Sequence, residues 1–118
     1  MFHVLKYNGM EMAKNIEFAG TAISRMLGLM FRRHIPDDYA MIFSLKKKTD
    51  VSVHMLFVFF PIDVIFLNEE KKISGFSRLA PWTGYKTMKN VKYVIEMKAG
   101  TIGKNKLAIG GQMEFGDN

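Results

Sequence analysis

The chain has 118 residues, with 17 Lys and Arg against 11 Asp and Glu for a net charge of +6, ten Met, ten Phe and no Cys. That length suits one domain, residues 1–118, able to bury a core without staples. The lack of Cys excludes disulfides, thiolate metal sites and Cys nucleophiles together, and leaves the cytoplasm as the expected compartment.

The positive charge invites a nucleic-acid reading, but its placement does not. Lys46-Lys47-Lys48 is one short run, Lys71-Lys72 follows Glu69-Glu70, and the remaining Lys are spread singly. Such a distribution fits a solvated surface better than a face built on phosphate contacts. Residues 1–9 show no basic region followed by a long apolar run, so no secretion signal is expected.

In chain order, residues 2–7 alternate loosely as a strand, Asn8-Gly9 is a hairpin turn signal, and residues 10–18 form the returning strand. Thr21 is placed to cap a short helix over 21–33, where Ile23, Met26, Leu27 and Met30 fall at helical spacing and Arg25, Arg32 and Arg33 leave on the polar side. Residues 34–39 read as a loop, 40–45 as a short strand, and Lys46-Lys47-Lys48 as part of a turn ending at Asp50.

The stretch 52–67 is apolar nearly throughout, with His54, Pro61 and Asp63 as exceptions. A bilayer helix needs about 20 apolar residues and tolerates a central Asp poorly, so no membrane insertion is expected. Pro61 breaks a helix and Val, Ile and Phe favour strands, which predicts two core strands hinged at Pro61. The first is expected to be central and covered on both faces. In the second, Asp63 shares a face with Ile65 and Leu67.

Residues 68–72 read as a turn, 73–79 as a half-buried strand interrupted by Gly75, and 80–84 as a loop holding the only Trp, Trp82. A further strand covers 91–97, a glycine-bearing turn or single helical turn covers 99–106, and 112–115 closes the sheet. The sum is a mainly β domain: a compact barrel or sandwich of about seven or eight short strands with one or two short helices.

Several blocks are similar to the uncharacterised family called domain of unknown function 192, found in archaea and bacteria. They are Gly28-Leu29-Met30 with Arg32, Met41-Ile42-Phe43, His54-Met55 leading to Pro61-Ile62-Asp63, and Ile95-Glu96 leading to Gly100. They stand in the family's order from residue 21 onward. His54 occupies a place where many relatives carry Trp, and Gly110-Gly111-Gln112 lacks an expected Asp. The resemblance implies a compact β-rich domain and carries no activity with it.

Asp63 is the sharpest single residue, because a carboxylate on an apolar strand face needs hydrogen bonds or a cation. Arg25 or Arg32 on the helix is its expected partner. It reads either as a structural tie to backbone N–H groups or as a ligand-binding or catalytic group. Glu96 is expected to be an ion-paired surface residue beside Lys92 and Lys98. His3, His34 and His54 show no ligand spacing, so neither a metal nor a cofactor is expected. No Gly-x-Ser-x-Gly elbow, phosphate loop or dinucleotide fingerprint is present.

Three readings follow. The first is a non-enzymatic module that binds a small anionic ligand or a peptide through Arg25, Arg32, His54, Asp63 and Glu96. The second is an enzyme with Asp63 or Glu96 as acid or base beside an Arg that anchors an anionic substrate. The third is a β-barrel that binds single-stranded nucleic acid through Lys46 to Lys48 and exposed aromatics.

Overall fold

A computed structural model of the chain describes residues 4–19 and 28–116. Among them are eight strands, β1 (Leu5–Tyr7), β2 (Met10–Ala13), β3 (Asn15–Phe18), β4 (Tyr39–His54), β5 (Ile62–Leu67), β6 (Ile73–Leu79), β7 (Tyr85–Lys98) and β8 (Met113–Glu114), and one helical turn, α1 (Thr101–Lys104). Two sheets result, with strand orders β2-β1-β8 and β3-β4-β7-β5-β6. The architecture is sandwich-like and mainly β, as the sequence predicts, and it is not a closed barrel.

Asn8 and Gly9 both take left-handed backbone, with φ 48° and 85°, and so close β1 onto β2 in the manner of a primed hairpin turn. The return over 10–18 is not one strand. It splits at Lys14: β2 stays with β1, and β3 crosses to the larger sheet to pair parallel with β4, Asn15 against Tyr39. Of the helix expected over 21–33, residues 28–31 form a turn and 32–33 are irregular, while 21–27 lie outside the described residues.

The Lys46-Lys47-Lys48 run is not a turn. It lies inside β4, in the stretch where the ladder to β7 shifts register between Ser44 and Thr49. Lys side chains keep their charges in water from a strand as easily as from a turn, and the extra residues are absorbed as a bulge that bends the ribbon. Nor do residues 55–60 continue a central strand. The Met55 N–H donates to the Gly84 carbonyl, and the Met55 carbonyl accepts from Val58 and Trp82 N–H groups, so turn bonds replace the ladder. The fully covered strand is instead β5, an interior strand whose six residues are all buried between β7 and β6.

Strand alternation then builds two cores. On one face of the large sheet, Met41, Phe43, Val64, Phe66 and Val94 pack with Leu29, Ile35, Met55 and Val58. On the other, Ile42, Ile65, Leu67, Ile95 and Met97 pack against the small sheet through Leu5, Ala13 and Met113. Burying each such side chain contributes about 1.5–3 kcal/mol against exposure. Gly75 in β6 is where Met88 of β7 arrives; a Cβ there would occupy the space of the Met88 methyl and sulfur. The far half of the β4–β7 ribbon therefore curls back over the first face.

Candidate functional site

The curl encloses a pocket of about 190 Å³. Its walls are mostly apolar, drawn from Leu29 and Met30 on one side, Phe43 and Val53 of β4, and Met55 and Val58 of the following loop, with Ser52 and His54 as polar members. Glu96 of β7 also lines it. Met41 and Val64 flank Glu96 in register on β4 and β5, which fixes its carboxyl on this face.

Glu96 is only 8% exposed and makes no hydrogen bond or ion pair with any described residue. The Lys residues expected to neutralise it are engaged elsewhere: Lys98 reaches Asp37 at 2.6 Å and Lys92 donates to the Leu45 carbonyl. Among the described residues no fully enclosed side-chain polar atom lacks a partner, so the Glu96 oxygens are reached from the pocket. Burial pushes its carboxyl up to about 7. The expectation of an ion-paired surface residue is thus reversed, because the β4–β7 ribbon that covers Glu96 is a tertiary feature with no local signature.

His54 ends β4 and stands exposed at the pocket's rim. Asp63 is elsewhere. It lies on the opposite sheet face, 1% exposed, where one oxygen accepts from the Gly100 and Ile102 N–H groups at 3.0 and 2.9 Å and the other from Arg78 Nε at 3.3 Å. Its cation is Arg78 of β6, not Arg25 or Arg32. The register of the predicted hairpin could have found it, since a turn over 68–72 sets Asp63 opposite Arg78.

Arg32 binds Glu17 through both carboxylate oxygens, at 3.0 and 2.9 Å, and donates to the Tyr39 hydroxyl at 3.0 Å, while Tyr39 donates to Glu17 at 2.7 Å. This triad ties the 28–33 segment to β3 and β4. Burial raises Glu17, but the hydrogen bonds from Tyr39 and Arg32 and the Arg32 charge outweigh it and leave Glu17 below the usual range. Arg25 lies outside the described residues. Of the five residues expected to share one site, the structure therefore brings together His54 and Glu96 and sets Asp63 and Arg32 in two separate structural contacts. Among the described residues no cluster of three or more His, Asp or Glu could hold a metal.

Comparison with known proteins fits this frame. A family profile described as "Uncharacterized ACR, COG1430", domain of unknown function 192, matches residues 3–115. The chain belongs to that family. A UPF0127 protein of Pyrococcus furiosus is 38% identical over 117 residues, covering 98% of this chain and 97% of the relative. One from Pyrococcus abyssi is 35% identical over 102 residues, covering 85% of each. Among solved structures, a Sinorhizobium meliloti protein described as a "putative transcription regulator" superposes with a TM-score of 0.87 at 23% identity, covering 98% of this chain and 94% of its own. A Novosphingobium aromaticivorans protein of unknown function gives 0.83 at 19% identity, covering 97% and 84%. At such identities the likeness establishes a shared fold alone.

Proposed function

We propose that this family member is a non-enzymatic binding domain for a small, mostly apolar molecule carrying one cationic or hydrogen-bond-donating group. The observation that carries the reading is the Glu96 carboxyl, without a hydrogen-bond or ion-pair partner among the described residues, in a pocket lined mostly by apolar side chains. A buried carboxylate is costly unless paired, so a ligand that supplies the partner gains what the protein forgoes. An engineered apolar cavity of about 150 Å³ accepts benzene; a pocket of about 190 Å³ suits a ring with one short polar arm. No Lys or Arg of the described residues lines it, so none of them offers an anionic ligand or substrate a permanent positive charge there.

Benzylamine is a fitting probe, with toluene and benzoate as controls. The reading expects benzylamine to raise the melting temperature and shift the NMR signals of Val53, Met55 and Val94, more at pH 8 than at pH 5.5. Glu96→Gln is expected to abolish the preference for benzylamine over toluene. Equal binding of benzoate, or a preference for the amine that survives Glu96→Gln, contradicts it.

A catalytic reading comes second. It is favoured by a Glu96 carboxyl that titrates near neutrality, where a general acid or base works best. The cysteine-free composition supports placing the domain, which we read as residues 1–118, in the cytoplasm. Among the described residues no helix is long and apolar enough to cross a membrane.

A further inference from the structure

Eight large hydrophobic side chains of the described residues are exposed, and six of them, Phe31, Leu56, Phe57, Phe59, Trp82 and Tyr85, come from three neighbouring segments. Scattered exposed apolar residues need no explanation, but a gathered set does. The segments are tied by backbone bonds, Phe31 N–H to the Phe57 carbonyl at 2.8 Å and Trp82 N–H to the Met55 carbonyl at 3.1 Å. Their rings form a continuous chain: Phe31 stacks on Phe57 at 5.1 Å, Phe57 meets Trp82 edge-on at 5.2 Å, and Trp82 lies 5.6 Å from Phe59. Phe31, Phe57 and Trp82 all hold left-handed backbone, with φ between 61° and 67°, which bulky residues rarely adopt. Strain of that kind persists where the surrounding structure enforces it, and it gathers at functional sites.

The charge carried by the three segments themselves has one sign; Glu17, bonded to Arg32, and Asp50, which accepts from the Asn90 N–H at 3.2 Å, are carboxylates that touch them from outside. Residues 28–36, 54–61 and 79–90 contain Arg32, Arg33, Lys86 and Lys89 and neither Asp nor Glu. Arg32 is committed to Glu17, whereas Arg33, Lys86 and Lys89 form no ion pair among the described residues. A second copy docked symmetrically through this face would bring Arg33, Lys86 and Lys89 together with their counterparts, and the three segments hold no carboxylate of their own to meet them. The partner must be anionic as well as apolar. Single-stranded nucleic acid would need free ring faces for its bases. Here the rings spend much of their faces on one another, and aliphatic Leu56 stands among them.

From this combination we infer that the 55–60 and 80–84 loops, with Phe31, form a docking surface for an anionic lipid bilayer. The aromatic chain and Leu56 enter the headgroup boundary, where Trp and Phe are at home, and Arg33, Lys86 and Lys89 meet the lipid phosphates. This is peripheral attachment by loops, which needs no spanning segment. It stands independently of any ligand in the Glu96 pocket.

Trp82 is the only Trp in the chain, so its fluorescence reports on the patch directly. The test mixes the protein with vesicles of equal parts phosphatidylglycerol and phosphatidylcholine, and with pure phosphatidylcholine vesicles. The anionic vesicles are expected to shift Trp82 emission to the blue and to quench it when their acyl chains are brominated, with binding that weakens as salt rises. Phe59→Ser is expected to weaken partitioning about tenfold. Arg33→Glu with Lys86→Glu, which removes no described hydrogen bond, is expected to do the same while circular dichroism stays unchanged. No shift with anionic vesicles, or a shift that survives the charge reversal, overturns the inference. A Trp82 response to single-stranded RNA without one to vesicles also overturns it and assigns the face to nucleic acid.

Discussion

Asp63 and Glu96 stand on adjacent strands one register step apart, Asp63 opposite Met97 and Glu96 opposite Val64, and their carboxyls point to opposite faces of the sheet. Among the described residues, one meets three hydrogen-bond donors and the other none. Two buried carboxyls that look alike in sequence are thereby assigned different work.

Asp63→Ala is expected to destabilise the fold by about 3 kcal/mol, since the Gly100 and Ile102 N–H groups are left without their acceptor. Chemical denaturation measures this. Benzylamine affinity, read on the folded fraction, should be unchanged, because Asp63 does not face the pocket.

Glu96 predicts an unusual pH dependence. Its carboxyl is pushed from 4.5 up to about 7, so the native state holds its proton where the unfolded chain has released it. Stability from this group is full below about pH 4.5 and is lost as pH rises through about 7. The loss is about 3 kcal/mol at most. Glu96→Gln should flatten the denaturation midpoint across that window and leave the variant more stable than the parent at pH 8. A parent whose stability rises from pH 5 to 8, with no change in slope on Glu96→Gln, would contradict the assignment.

Much of this was legible in the residues. The alternation of 62–67 places Asp63 with Ile65 and Leu67, and Asn8-Gly9 marks its hairpin, because both depend on local geometry alone. What escaped was long-range. The bulge that carries β4 through Lys46-Lys47-Lys48 has no composition of its own, and only the resulting curl makes Glu96 a buried group instead of an exposed one. Likewise the run 52–60 is apolar for two reasons the sequence cannot separate: Met55 and Val58 face the core, whereas Leu56, Phe57 and Phe59 face out.

The Tyr39 hydroxyl, buried between Glu17 and Arg32, makes a second test of tertiary wiring. Tyr39→Phe should cost about 1–2 kcal/mol, chiefly by removing a donor from Glu17 and an acceptor from Arg32. The Glu17 carboxyl should then titrate higher, because the Tyr39 hydrogen bond helps to hold it low.

Gly84 offers a steric test. A Cβ there would lie 2.6 Å from the Ala80 carbonyl oxygen and 2.8 Å from its nitrogen, atoms that cannot swing aside. Gly84→Ala is expected to lower stability by about 1–3 kcal/mol and to change Trp82 emission, since the 80–84 loop must open to relieve the clash. Gly103→Ala, which meets nothing within 4 Å, is the matched control.

The most direct measurement is an NMR titration of the Glu96 side-chain carboxyl, free and with saturating benzylamine. The midpoint is expected at about 7 in the free protein and should move downward when the ammonium group occupies the pocket and favours the carboxylate. A midpoint in the ordinary carboxylate range, or one near 7 that benzylamine leaves in place, would contradict it.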